Sequence, residues 1–293
     1  MDDKIFFLDS GAFSAYTQGA TIPIEDYISF IKRNEHRIDI YANLDVIGSP
    51  EGTWQNQLIM EESGLLPLPV FHFDEPTSYL RRYIKQYDFI ALGGMVPIST
   101  PNLIFWLDTI FSEFICDKNG MPKVKVHGFG MTTQSLLLRY PWYSVDSTYP
   151  IINGAMGRVF VPRLTKGEWD YTRPFFAADV SNRSPNMGKY NQHYNTLSPR
   201  KKEMVQNYVE YMGYEMGEST WCWEQPRTLA PNEKWFGEEQ AGERLMEIIV
   251  LRGVTNSHVV RKIINIETMN RMSQQLPQWP WAFKPRKNHI LFR

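Results

Sequence analysis

Through residue 146 the chain alternates repeatedly between a short apolar run and a stretch with helical periodicity. IFFLD (5–9) precedes PIEDYISFIKRNEHR (23–37), in which Ile24, Tyr27, Ile28 and Ile31 share one helical face. IDIYANLD (38–45) precedes TWQNQLIMEESG (53–64), with Thr53 as the expected N-cap and Gly64 as the stop. LPVFHFD (68–74) leads to TSYLRRYIKQY (77–87). DFIALGG (88–94) leads to TPNLIFWLDTIFSEFICD (100–117), where Thr100 and Pro101 read as an N-cap and first helical residue. KVKVHGFG (123–130) leads to TTQSLLLRY (132–140), and WYSVD (142–146) follows. Strands this uniformly apolar, separated by helices, predict a parallel sheet buried on both faces.

Such a sheet closes either as an open doubly wound layer or as an eight-stranded (β/α)8 barrel of the TIM type. The polar residues favour the barrel. Asp9, Asp45, His72, Gly93-Gly94, His127-Gly128 and Asp146 all fall at or just past the ends of their strands. A barrel gathers such ends on one rim, whereas an open sheet concentrates them at a single switch point. No GxGxxG or GxxxxGK[ST] phosphate loop follows any strand; GFGM (128–131) is too short a match.

With 293 residues, 43% of them hydrophobic, the chain is long enough for one large domain or one domain with an appendage. The barrel is expected over most of 1–180, with RVFVP (158–162) and FFAADV (175–180) as its last strands. Residues 181–196 are polar and read as a loop excursion. Helices are expected at 198–218, 238–253 and 255–276, so 181–293 reads as a helical extension on the barrel. No apolar run reaches membrane-spanning length, and MDDKIFFLDSG does not read as a secretory signal. Cys116 and Cys222 match no disulfide or metal framework, and a reducing cytoplasm is the expected setting. The formal net charge of -1 neither suggests nor excludes a nucleic-acid partner.

Taken singly, each rim residue has an ordinary explanation. Asp9 or Asp45 can cap a helix or start a turn, the paired glycines can form a turn, and His72 or His127 can be satisfied core histidines. Taken together they supply carboxylates, open backbone and two imidazoles to one cavity. Paired carboxylates are what glycosyl transfer requires, one attacking the anomeric carbon and one moving protons.

The ordered set DSGAFS (9–14), NLDV (43–46), VFHF (70–73), LGGM (92–95), HGFG (127–130) and SVDST (144–148) resembles the queuine/archaeosine-type guanine transglycosylases. These enzymes exchange guanine in nucleic acid for a 7-deazaguanine, and the resemblance spans roughly residues 5 to 150. It implies Asp146 as nucleophile and Asp9 as the group handling the purine proton. It implies that Ser10, Asp45, His72 and His127 contribute to the base pocket, that Gly93 or Gly94 amides hold the purine O6, and that Phe13 and Met95 sandwich the ring. Ala12, Ser14 and His72 depart from the family's glycine, glutamine and glutamine.

Two cysteines cannot build the family's Cys-rich zinc site, so no zinc module, no metal and no cofactor is expected. That absence, in a short chain, points to the phage and bacterial branch that modifies DNA, with tRNA as the alternative substrate. The expected partners are DNA and a 7-deazaguanine such as 7-cyano-7-deazaguanine, with the target base flipped out or single-stranded. Arg200, Lys201, Lys202, Arg261, Lys262, Lys284, Arg286 and Lys287 are the expected backbone contacts, each also readable as an ordinary solvated residue. Trp279, Trp281 and Phe283 either stack on bases, cover a partner or dock the tail. Two rival readings share the rim: a metal-dependent hydrolase using Asp9, His72, His127 and Asp146, and a non-catalytic nucleic-acid binder.

Overall fold

Six short parallel strands lie side by side in chain order. The computed structural model describes residues 5–131 and 133–285, and the strands are β1 (Phe7–Leu8), β2 (Ile40–Tyr41), β3 (Val70–His72), β4 (Phe89–Gly93), β5 (Lys125–Gly128) and β6 (Ser144–Val145). β1 pairs with β2, a parallel bridge from Ala42 to Leu68 continues to β3, and β3 to β6 form one four-stranded sheet. The neighbour order never reverses, so this part of the chain has no switch point of the doubly wound kind. Between the strands run α1 (Ala12–Thr17), α2 (Ile24–Asn34), α3 (Pro50–Glu62), α4 (Thr77–Gln86), α5 (Thr100–Thr109) and α6 (Gln134–Leu137).

Register decides which side chains share a face. Val70 pairs with Ala91, His72 with Gly93, Ala91 with His127 and His127 with Ser144, which puts them on one side of the sheet. Phe7 and Ile40 pack with Ala42, Leu68, Val70 and Ala91 on that same side. The Phe7 ring stacks on His127 at 4.5 Å, although three strands separate β1 from β5. In a flat sheet four strand spacings amount to about 19 Å. The parallel set therefore curls, with this face inside. On the outer side, Phe71, Ile90, Leu92 and Val126 are fully buried, and Phe71 stacks on Trp106 of α5. Over β1 and β2 the cover is a cluster of Ala12, Tyr27, Ile31, Leu44, Met60 and Leu65 from α1, α2, α3 and their loops.

Helix starts differ by a few residues from the sequence reading. α3 is capped by Ser49, whose hydroxyl accepts the Gly52 N–H at 3.1 Å, and Pro50 opens it. Thr53 is buried instead, its hydroxyl accepting the Val46 N–H at 2.9 Å. Ser99, not Thr100, occupies the cap of α5, and α5 continues as a π-helical stretch over Ile110–Ile115.

The chain forms two compact units, Met1–Ser147 with Pro277–Arg293, and Thr148–Leu276. Residues 277–285 complete the first. The Phe283 N–H donates to the Gly120 carbonyl at 2.8 Å, and the Phe283 ring is buried against Phe111 and Tyr140. Gly120 has φ +80°, and a Cβ there would run into the Phe283 carbonyl. Trp279 meets Tyr143 edge to face at 5.3 Å. Of the readings open for these aromatics, the structure selects docking for Phe283 and Trp279.

The second unit holds α7 (Tyr149–Ala155), β7 (Arg158–Val161), β8 (Arg163–Thr165), β9 (Glu168–Asp170), β10 (Phe176–Asp179), α8 (Pro199–Tyr211), β11 (Glu218–Glu224), β12 (Glu233–Gln240), β13 (Glu243–Leu251) and α9 (His258–Gln275). Here the sequence reading needs correction. β7 and β10 pair antiparallel to each other, not as parallel successors of β6. Within 238–253, expected as a helix, residues 238–240 and 243–251 are strand, and β11, β13 and β12 form an antiparallel sheet in that order. Ala241 and Gly242 both have positive φ, the geometry of a two-residue hairpin turn, which joins β12 to β13. The helix expected over 198–218 ends at Tyr211. α9 matches its expected position and is stitched in by Asn265. Its amide donates to the carbonyls of Pro150 and Arg158 at 3.0 and 3.1 Å and accepts the Phe160 N–H at 2.8 Å. Among the described residues no helix is long and apolar enough to cross a membrane.

Phe283→Ala removes the ring that anchors the tail. We expect it to lower the unfolding free energy by about 3 kcal/mol in urea titrations, the usual cost of emptying a buried aromatic site. A change below about 1 kcal/mol would show that the tail adds little to the first unit.

Candidate active site

The inner face of the curled sheet ends in polar side chains. Asp9 lies two residues past Phe7 and Asp146 two past Ser144, so strand alternation turns both toward the side that carries His72 and His127. Three of the expected residues are joined through direct bonds. The Ser10 hydroxyl donates to Asp45 Oδ1 at 2.8 Å, and His72 Nε2 meets Asp45 Oδ2 at 2.9 Å. Glu75 completes the chain: Oε1 lies 3.0 Å from His72 Nδ1, and Oε2 accepts the His72 backbone N–H at 3.0 Å.

An imidazole with a carboxylate on each nitrogen is held as the cation. Burial pushes the His72 pKa down, but the hydrogen bonds and charges of Asp45 and Glu75 outweigh it and raise it to about 9. Burial likewise pushes Asp45 up, and the bonds from His72 and Ser10 reverse this, leaving its carboxyl below the usual range. Gly93 makes room for the ring, since a Cβ there would lie 3.0 Å from His72 Cδ2. Gly94, with φ +68°, continues into the open loop before Met95, which is buried.

A second group surrounds Asp146. His127 is buried between Phe7 and Phe129, its Nδ1 bonded to Ser144 Oγ at 2.9 Å. Among the described residues its Nε2 has no hydrogen-bond partner, and it lies 3.6 Å from Asp146 Oδ1, within electrostatic reach. The Gly130 N–H donates to that same oxygen at 2.8 Å. Asp146 is 48% exposed. Partial burial pushes its carboxyl up, while His127 and the Gly130 N–H bring it below the ordinary value.

Asp9 behaves oppositely. Surrounding protein raises its carboxyl first, and the charges of Asp45 and Asp146 raise it further, against the N–H groups of Ser10 and Gly11. The residue nevertheless keeps an open face to solvent. Two reachable carboxylates on one rim are thus set apart, one inclined to keep a proton and one to lose it. A cavity of about 420 Å³ lined by Ala12, Tyr16, Leu44, Asp45, Val46 and Asn56 reaches Asp45 but is lined by neither Asp9 nor Asp146. Phe13, on the first turn of α1, is 56% exposed.

Both nitrogens of His72 and one of His127 are engaged by protein groups, which leaves His72 no lone pair for a metal. Among the described residues no three His, Cys, Asp or Glu side chains gather as ligands for an ion.

The expected backbone contacts lie elsewhere in the chain. Arg200, Lys201 and Lys202 occupy the first turn of α8, with the Lys201 and Lys202 ammonium groups over the rings of Phe176 and Tyr194. Arg261 is buried, donating to the Gly154 and Val254 carbonyls at 2.7 and 2.6 Å, while Lys262 is half-buried. Lys284 is exposed, and Arg286 and Lys287 lie outside the described residues. Glu75, Ser144 and Gly130 escaped the sequence reading. A carboxylate three residues after a strand-end histidine, in HFDE, and a hydroxyl two residues before Asp146 were the available signals. No family model, curated protein or solved structure matches the chain.

The raised pKa of His72 has a consequence for stability. Its ordinary value is about 6.5, so the stabilisation is complete below pH 6.5 and is lost as pH rises through about 9. Wild-type unfolding free energy should fall by roughly 3 kcal/mol across that window relative to His72→Gln. Parallel profiles for the two proteins would remove His72 from the ion-pair chain.

Proposed function

We propose that the chain is a base-exchanging transglycosylase that replaces guanine in DNA with a 7-deazaguanine, acting from the rim of a TIM-like barrel. The observation that carries this reading is the opposed tuning of Asp9 and Asp146 at the ends of the first and sixth parallel strands. The curl that stacks Phe7 on His127 and the chain-ordered strands support the barrel.

In this scheme the ionised Asp146 carboxylate attacks C1′ from the face opposite the base, and the C1′–N9 bond breaks as a glycosyl ester forms. Asp9, the carboxyl with the higher proton affinity, gives its proton to the departing guanine. The incoming 7-deazaguanine returns a proton to Asp9, its N9 attacks C1′, and the Asp146 carboxylate leaves. Atoms and charge balance over the cycle without an external oxidant or energy source. Asp45, whose two oxygens each retain a lone pair beyond the bonds from Ser10 and His72, accepts from the guanine N1–H and amino edge. DNA is preferred over tRNA because Cys116 and Cys222 cannot form the zinc module of the RNA enzymes.

Asp9→Asn should keep the fold and lower base exchange by at least about a hundredfold, since an amide accepts no proton. Incubation with guanine-labelled DNA, or separately tRNA, plus a 7-deazaguanine reads this as release of labelled guanine and identifies the nucleic acid. Near-normal exchange in Asp9→Asn would overturn its role.

The nucleophile is tested separately. Wild type with substrate DNA should give a shifted band on a denaturing gel that Asp146→Asn lacks, while DNA binding persists. An adduct that survives the substitution places the nucleophile elsewhere. Exchange that is abolished by chelators and restored by zinc would instead favour the metal-dependent hydrolase reading.

A further inference from the structure

The second unit contains a cavity of about 540 Å³ at the start of α9, lined by Asn182, Arg183, Lys234, His258, Arg261 and Lys262. Its charge is one-sided. Glu247, fully buried, is consumed by Arg183 at 2.8 Å, Asn182 at 2.5 Å and Ser219 at 2.8 Å. Asp179 accepts from Asn186 at 3.0 Å through Oδ2, while its buried Oδ1 has no hydrogen-bond partner among the described residues and its charge reaches Arg261. Against these two acids stand Arg183, Lys234, Arg261 and Lys262.

The cations are presented in different ways. Arg261 is 4% exposed and clamped through Nε and Nη1 by the Gly154 and Val254 carbonyls. Carbonyl partners hold the guanidinium in place, and the charges of Asp179 and Glu247 reach it without a direct ion pair to either among the described residues. Among the described residues Lys234 makes one hydrogen bond, to the Asn256 carbonyl at 3.2 Å, and keeps two N–H groups for a ligand. Lys262 has no hydrogen bond or ion pair among the described residues. Gly154 lets α7 approach the α9 backbone there, since a Cβ would lie 2.8 Å from the Lys262 nitrogen.

Two neighbours register the resulting field. Burial pushes the Lys234 ammonium down, and Arg183, Arg252 and Arg261 push it further against the pull of Glu247. The His258 imidazole is also held below its ordinary value, by burial and then by Lys262, Arg261 and Lys234. The first N–H groups of the eighteen-residue α9, capped by Ser257, open toward the same end.

We propose that this cavity binds a phosphate group carried on a nucleotide, with Arg261 as its fixed wall and Lys234 and Lys262 as the groups that close on the oxygens. A phosphate offers several acceptor oxygens and up to two charges, which suits three cations presented from separate elements. The volume exceeds what a bare phosphate fills, and Met156 and Pro185 add apolar surface for the attached sugar or base. The source is either the backbone of a strand or a free mononucleotide. The strand source rests on the base-exchange reading, whereas the phosphate chemistry does not.

The test compares the full-length wild type with the Lys234→Gln/Lys262→Gln pair, using deoxyguanosine 5′-monophosphate, deoxyguanosine and a single-stranded oligonucleotide over a salt series. If the cavity takes a free nucleotide, the monophosphate binds at least tenfold more tightly than the nucleoside, and the substitutions abolish that preference. If it takes a strand, the oligonucleotide binds at least tenfold more weakly in the variant, with a salt slope smaller by about one to two. Wild-type and variant values that coincide in both series overturn the proposal. Lys262→Gln alone, which leaves the Lys234 bond to Asn256 intact, repeats the comparison if the pair fails to fold. Loss of base exchange with phosphate binding intact sinks only the enzymatic reading, and the converse sinks only the cavity.

Discussion

The stacking of Phe7 on His127 is the contact on which the first unit turns. Hydrogen bonds between neighbouring parallel strands fix spacing and register, but they leave open whether the sheet lies flat or curls. A ring from the first strand touching an imidazole from the fifth removes that freedom. Once the sheet is bent, residues far apart in sequence have their strand ends on one concave side, and the apolar residues of the opposite face must be covered by helices. Small residues at Ala42 and Ala91 leave room for the rings inside.

The same constraint shapes the electrostatics. Several carboxylates brought to one end of a curled sheet repel each other, and the fold deals with them unequally. Asp45 and Glu75 share one histidine cation held between them. Asp146 is partly compensated by a backbone N–H and a nearby imidazole. Asp9 has only the N–H groups of its own turn to set against two neighbouring charges. That inequality follows from which residue types occupy which strand tip, and it raises the proton affinity of Asp9 while lowering that of Asp45 and Asp146. Asp45, with both oxygens bonded, is less able to react than Asp9 or Asp146.

Much of the first unit was legible because its strands are apolar on both faces and its helices keep a clear period. Asp9, Asp45, His72 and Asp146 stood out as polar residues closing apolar runs, and Ser10, Asp45 and His72 do bond to one another. The caps at Ser49 and Ser99 lie four residues and one residue before the expected Thr53 and Thr100, because a Thr near the helix start carries the same signal as the Ser that fills the position. The second unit was harder. EEQAGERLMEIIVLRG has enough Glu, Leu and Ala to imitate a helix, yet its Ile-Ile-Val run and the Ala-Gly pair suit a hairpin whose turn needs two residues at positive φ. Local composition could not reveal that Glu247, in the middle of this strand, is buried by partners 28 and 64 residues away. Arg261 was legible as a cation and illegible as a buried one, since the carbonyls that hold it come from distant turns.

The return of Phe283 to the Gly120 turn makes the second unit an insertion within the first rather than a successor to it. During synthesis, Phe111 and Tyr140 emerge long before the ring that packs on them. The inserted segment has time to fold while the first unit still lacks part of its core. Tethering both ends of the insertion to one body also means that a single cut inside residues 148–276 would not release the tail, because its ring stays buried on the far side of the cut. Closing so long a loop carries an entropic cost that grows only with the logarithm of its length. A prefolded insertion shortens the effective loop, so the order of synthesis favours the assembly that the tail completes.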